Sequence, residues 1–282
     1  MTGTGQRSFD IASTHGHRLV GWRIPHETPQ GVIVILHGVG EHSGCYRALA
    51  ENLAGRLAVD LVGFDLRGHG KSPGKRGVVR HYDDLLDDVE ATLDQVRVQR
   101  PDLPIYLLGH SNGGLVALRT VLERTSHVIA GLILSNPVLK LSARATHMQR
   151  FMAHVLHAVA PRVTLGAPLA PEKMTSDPLM QRERKADPLR HNQLCAPMFF
   201  GMERSGATVI GLAGSIVTPT LFILGGLDPV VDPCVGKDFY DRLGSSDKTL
   251  AFYPEMHHEP INELGRERVF DTIVQWIRPR CS

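Results

Sequence analysis

Ser111 lies in the segment Gly109-His110-Ser111-Asn112-Gly113-Gly114, and its neighbours give that serine the setting of a nucleophile. The apolar run Ile105-Tyr106-Leu107-Leu108 enters as a strand, and Leu115-Val116-Ala117-Leu118-Arg119 leaves as a helix. G-x-S-x-G between a strand and a helix is a nucleophile elbow. The turn strains the serine and lifts its hydroxyl clear of the sheet, while Gly109 and Gly113 omit side chains that would collide. The positive end of the helix then faces the hydroxyl. Such a hydroxyl still needs a base within hydrogen-bond reach and a carboxylate to orient that base.

Acid and base candidates follow in order, each just past a predicted strand. Strand 220–224 runs into Gly225-Gly226-Leu227-Asp228-Pro229, which puts Asp228 at a strand end. Asp232, four residues on, is better used with Pro233 to start the next helix. Strand 249–253 runs into Pro254-Glu255-Met256-His257-His258-Glu259, and spacing alone does not choose between the two histidines. A tetrahedral intermediate also needs oxyanion donors, usually backbone N–H groups. One is expected from Asn112, the residue after the nucleophile. The other is expected from the loop His37-Gly38-Val39-Gly40, with Val39 the best placed.

The elements needed to hold these residues are legible. Residues 9–11 and 19–24 read as an opening hairpin through Ser13-Thr14-His15-Gly16-His17. The continuous run Val32 to Leu36 reads as a strand covered on both faces. A helix is expected over 46–57, a strand over 59–64, a helix over 82–98 and a strand over 129–134. Strands alternating with helices predict a mostly parallel sheet flanked by helices. From 136 to 215 the alternation stops, no strand is expected, and Pro137, Pro161, Pro168, Pro171, Pro178, Pro188 and Pro197 interrupt the chain. This stretch reads as an inserted helical cap over a core of residues 1–135 and 216–282. After it come strand 220–224, a helix near 236–243, strand 249–253 and a helix over 266–276.

Several segments together resemble the monoacylglycerol lipases and related lysophospholipase-like hydrolases. The stretch His37-Gly38-Val39-Gly40-Glu41-His42-Ser43-Gly44-Cys45-Tyr46 is similar to that family's H-G-x-G-E-H-x-x-x-Y segment. Asp65-Leu66-Arg67-Gly68-His69-Gly70-Lys71-Ser72, the elbow, the run from Val217 to Pro233, and the run from Tyr253 to Glu263 match in the same order. The resemblance covers nearly the whole chain and implies an α/β-hydrolase fold. It also implies the triad Ser111, Asp228 and His258, because the family's base directly precedes a glutamate. Val39 and Asn112 map onto its oxyanion donors. The implied substrate is a lipid ester, a monoacylglycerol or lysophospholipid, cleaved through an acyl-enzyme without metal or cofactor. Asn112 stands where the family usually carries Met, which sets a polar side chain beside the expected acyl pocket. His257 replaces a commonly aromatic residue.

His37, His69 and His110 are expected to pack loops, and Asp65 and Arg67 to hold theirs by hydrogen bonds. Met148, Phe151, Met152, Val155, Leu156 and Val159 share one helical face. Phe151, Met152 and Val155 are therefore expected to line the acyl pocket, with transient membrane-surface contact as a further use of the helix.

Composition narrows the alternatives. In 282 residues, 31 Lys plus Arg nearly balance 29 Asp plus Glu, which gives no support for nucleic acid as a partner. Cys45, Cys195, Cys234 and Cys281 show no C-x-x-C spacing, which fits free thiols. Without a signal-like segment at Met1 to Gly5, a cytoplasmic chain is the expectation. Rival readings are a thioesterase, peptidase or esterase of the same fold acting on a non-lipid molecule, and a non-catalytic ligand-binding protein.

Overall fold

A computed structural model describes residues 7–13, 16, 18–124, 127–142, 146–167 and 170–281. Thr14, His15 and His17 of the expected hairpin turn, Pro168, and the segment Met1 to Gly5 lie outside them. The first half of the chain runs β1 (Arg7–Ala12), β2 (Arg18–Ile24), β3 (Val32–Leu36), α1 (Arg47–Ala54), β4 (Asp60–Phe64), α2 (Asp84–Gln99), β5 (Ile105–His110), α3 (Asn112–Glu123) and β6 (Gly131–Ser135). There follow α4 (His147–Val159), β7 (Thr164–Gly166), α5 (Pro171–Met174), α6 (Pro178–Ala186), β8 (Gln193–Cys195) and α7 (Ala196–Gly211). The chain closes with β9 (Thr220–Gly225), α8 (Pro233–Arg242), β10 (Lys248–Tyr253) and α9 (Glu267–Ile277).

Eight strands form one sheet in the order β1-β2-β4-β3-β5-β6-β9-β10. β2 is antiparallel to both of its neighbours, and every pairing from β4 to β10 is parallel. The β-branched run of β3 follows from this position, with a helical layer on each face. Val32, Val34 and Leu36 join the core made with Leu85 and Val89 of α2 and Leu115 of α3. Ile33 and Ile35 join the opposite core, with Leu49 of α1 and Ile273 of α9. Alternation across the pleat thus feeds two cores from one strand.

Residues 136–215 hold α4 to α7, as the loss of strand rhythm suggests, but also two short strands. β7 pairs antiparallel with β8, Leu165 opposite Leu194. At three residues each they are too short for alternation to register in the sequence. This stretch enters and leaves the sheet between β6 and β9, which are themselves neighbours in it.

Candidate active site

β5 delivers Ser111 into a turn with φ 53° and ψ −121°, a backbone conformation that strongly favours glycine. The turn survives because its surroundings over-determine it. Ser111 N–H donates to Ser135 O at 2.9 Å, while Ser111 O accepts from Leu115 N at 3.2 Å and Val138 N at 3.1 Å. The flanking glycines are sterically required: a Cβ on Gly109 would stand 2.5 Å from Gly113 O, and one on Gly113 2.2 Å from Leu36 O.

The loops after β9 and β10 converge on this hydroxyl. Asp228 Oδ1 accepts from the N–H groups of Val230 (2.7 Å) and Val231 (3.0 Å), which leaves Oδ2 facing His258 Nδ1 at 2.7 Å. An ionised carboxylate only accepts, so Nδ1 carries the proton and Nε2 is left to accept from Ser111 Oγ, 2.9 Å away. His257 turns the other way. Both its N–H and its Nδ1 lie 3.1 Å from Glu263 Oε2, and Glu263 also accepts from Ser176 N at 2.8 Å. Asp232 caps α8 through Cys234 N at 3.0 Å, the use expected of it.

Val39 follows Gly38, whose added Cβ would lie 3.1 Å from Ser111 Cβ, and Asn112 opens α3; the two N–H groups therefore sit on the segments that flank the serine. The Asn112 side chain differs from expectation. It is fully buried, and its Oδ1 accepts from Tyr82 Oη–H at 2.7 Å, so it does not line the cavity. Tyr82 lies in the turn before α2, which begins at Asp84 rather than at residue 82.

That cavity, about 460 Å³, has Ser111 and Val39 in its wall and is otherwise mostly apolar, with Leu156, Leu194, Phe199 and Met202 among its lining. Its size lies within the usual range for small-molecule sites. Phe151, Met152 and Val155 are not part of it. They are 63%, 45% and 37% exposed, whereas Gln149, Ala153 and Leu156 of the same helix face the cavity. α4 carries apolar residues on two adjoining faces, and periodicity cannot tell which of them meets the core.

Buried histidines and acids surround Ser111, Asp228 and His258. His37 Nε2 accepts from Leu66 N (3.0 Å), so Nδ1–H donates to Gly38 O (2.8 Å); burial lowers its pKa and keeps the ring neutral. His110 packs against His258 with centroids 4.9 Å apart and the rings tilted by 55°, and burial pushes its pKa down to about 4. Asp65 takes Ser43 N, Ser43 Oγ and Lys71 N, each at 2.7 Å, and Arg67 pairs with Asp88 and Asp84. Two sets of metal-type ligand atoms exist among the described residues: His42, Cys45 and Asp187, and Glu41, His110 and Glu259. Internal partners occupy both. His42 Nε2 bonds Asp187 Oδ2 at 2.7 Å, and the two glutamates face Arg184 and Arg190.

Asn136 is the residue that sequence reasoning missed. At φ 41°, it donates Nδ2–H to the carbonyls of His257 (3.1 Å) and His258 (3.0 Å) and accepts from Gly225 N (2.8 Å). One buried amide thereby ties the ends of β6 and β9 to the histidine loop. A polar Asn-Pro at the end of an apolar strand was the only available sign.

Comparison with known proteins identifies the family. A family model described as "Serine aminopeptidase, S33" matches residues 27–265. The human monoglyceride lipase is 34% identical over 271 residues, 93% of this chain and 86% of that protein. An abhydrolase domain-containing protein of Dictyostelium discoideum is 31% identical over 259 residues, 92% of this chain but only 27% of its own length. The crystal structure of a Paleococcus ferrophilus monoacylglycerol lipase superposes with a TM-score of 0.83 at 28% identity, covering 92% of this chain and 98% of that one. This chain belongs to the same family of α/β-hydrolases, and is a serine ester hydrolase of the monoglyceride-lipase type.

Proposed function

We propose that the chain hydrolyses the ester of a monoacylglycerol through an acyl-enzyme on Ser111, with residues 136–215 acting as a cap over the acyl chain. The observation that carries this reading is the 2.9 Å contact from Ser111 Oγ to His258 Nε2, with the hydroxyl opening onto an apolar cavity. Ser111 Oγ attacks the carbonyl carbon as His258 Nε2 takes its proton, and Asp228 stabilises the imidazolium. The N–H groups of Val39 and Asn112 hold the oxyanion. Collapse of the intermediate breaks the ester C–O bond, and His258 returns the proton to the departing glycerol oxygen. Water then repeats the sequence on the acyl-serine and releases the fatty acid.

Delivery of such a substrate fits the outer face of α4, where Met148, Phe151, Met152, Val155 and Val159 are exposed together. We infer that this face rests on a lipid surface. No helix among the described residues is long and apolar enough to cross a membrane. All four cysteines are free, which supports a reducing, cytoplasmic setting.

Hydrolysis of monoacylglycerols of graded chain length, beside lysophospholipids, thioesters, di- and triacylglycerols and aminoacyl amides, tests the reading. Highest kcat/KM on a monoacylglycerol supports it. Preference for aminoacyl amides, the activity in the family model's description, overturns it.

A further inference from the structure

Four charged side chains lie buried between the segment 171–192 and the two loops that flank Ser111. Glu41 and Glu259 are each 3% exposed, and Arg184 and Arg190 are close to buried. Arg190 Nη1 lies 3.3 Å from Glu41 Oε1 and 3.4 Å from Glu259 Oε1. Arg184 pairs closely with Glu259 and reaches Glu41 at 3.8 Å. Burying four ionisable side chains is expensive unless their geometry is well satisfied, and burial beside Glu41 pushes the Glu259 carboxyl up, so the cluster calls for a use beyond stability.

The outward connections of each acid indicate that use. Glu41 Oε2 accepts from Gly38 N at 3.0 Å and from Tyr46 Oη–H at 2.8 Å, which shapes the turn that carries Val39. Glu259 directly follows His258; its Oε2 accepts from Asn262 Nδ2 at 2.9 Å, and its N–H donates to Met174 O at 2.8 Å. The segment holding the arginines grips the Val39 loop twice more. His191 N–H donates to Gly40 O at 3.0 Å, and Asp187 pairs with His42 at 2.7 Å. The loop of Val39 and the loop of His258 therefore meet where Glu41 faces Glu259, and two arginines that belong to neither loop bracket that contact.

We propose that Arg190 and Arg184 are positioning residues that hold the Val39 loop and the His258 loop in common register through Glu41 and Glu259. The arginines touch no reacting atom. They fix the distance between an oxyanion donor and the base, a distance that matters most in the transition state. Because they lie in residues 136–215, a movement of that stretch alters the hydrolytic site directly. The proposal rests on the hydrolytic reading above.

The test compares Arg190→Met, Arg190→Lys and the double variant Glu41→Gln/Arg190→Met with the wild type. Arg190→Met is expected to lower kcat about 10- to 100-fold while KM stays within about threefold. Affinity for a trifluoromethyl ketone, which forms a tetrahedral oxyanion on the serine, should fall by the same factor as kcat. Arg190→Lys restores part of both, and the double variant loses no more than Arg190→Met, because the two residues act as one unit. A lowered Tm with wild-type kcat and inhibitor affinity overturns the proposal, since that pattern describes a purely structural ion cluster. Should Arg190→Met fail to fold, Arg190→Lys decides: joint loss of kcat and inhibitor affinity supports the role, and wild-type values for both overturn it. A wild-type chain that no fluorophosphonate labels at Ser111 overturns the hydrolytic reading and the clamp with it. A labelled, active wild type with indifferent Arg190 variants overturns the clamp alone.

Discussion

His110 lies against His258, ring centroids 4.9 Å apart, and stays a neutral ring beside it. Burial holds its pKa down to about 4, and its Nδ1 faces Ser135 O at 3.0 Å. Burial likewise depresses His191 to about 4 and lowers His37 and His69. In the unfolded chain each would titrate near about 6.5. Between about pH 6.5 and about pH 4 the unfolded state therefore binds protons that the folded state refuses. Stability should be full above that window and fall as the pH drops through it, His110 alone contributing a slope of about 1.4 kcal/mol per pH unit. Urea unfolding at intervals from pH 7.5 to 4.5 measures this, and a flat profile contradicts it.

The backbone at Ser111 separates chemistry from stability. Ser111→Ala should lower kcat by about 10⁴-fold or more. Ser111→Gly should be equally inactive yet more stable than the wild type by about 1 kcal/mol, because glycine accepts the positive φ without strain. Thermal unfolding beside turnover checks both halves.

The two adjacent histidines should behave differently. His258→Ala is expected to abolish turnover with the fold intact. His257→Ala, which removes only a contact to Glu263, should leave kcat within a few-fold of wild type. Steady-state kinetics on one soluble ester decides, and the reverse order of losses would reassign the base.

At Asn112 the proposed oxyanion donor is the backbone N–H, whereas the side chain holds Tyr82. Asn112→Met keeps the N–H but leaves the Tyr82 hydroxyl buried without its partner, at about 1–3 kcal/mol of stability. Turnover should change little. Tyr82→Phe in the Asn112→Met background should recover much of the lost stability, read from urea midpoints.

Asn136→Asp keeps the shape of the side chain but cannot donate to the carbonyls of His257 and His258. It should destabilise by about 1–3 kcal/mol and lower kcat about tenfold through a displaced His258. Stability loss without any kinetic loss would show that the amide serves the fold alone.

What the sequence disclosed was whatever short-range pattern encodes. Strand–turn–helix around Ser111 and the strand ends before Asp228 and His258 were legible because turn chemistry and apolar periodicity are local. The choice between His257 and His258 required resemblance, since the partner that captures His257, Glu263, gave no sign of its direction. Arg190 and Glu41 are 149 residues apart, and nothing in either neighbourhood announces their contact. A helical wheel puts Phe151, Met152 and Val155 on an apolar stripe without saying what that stripe meets. Ala153 and Leu156 hold the inward face, toward the cavity that Phe199 and Met202 of α7 also line.

The two apolar faces of α4 have a kinetic consequence. If the outer face seats on dispersed lipid while the inner face lines the cavity, the substrate concentration that governs the rate is its density in that two-dimensional film. Diluting the ester within micelles of an inert detergent should then slow turnover even at constant bulk molarity. A short, monomeric ester should escape this surface dilution, and Phe151→Ser should weaken the lipid response while sparing hydrolysis of the monomeric ester.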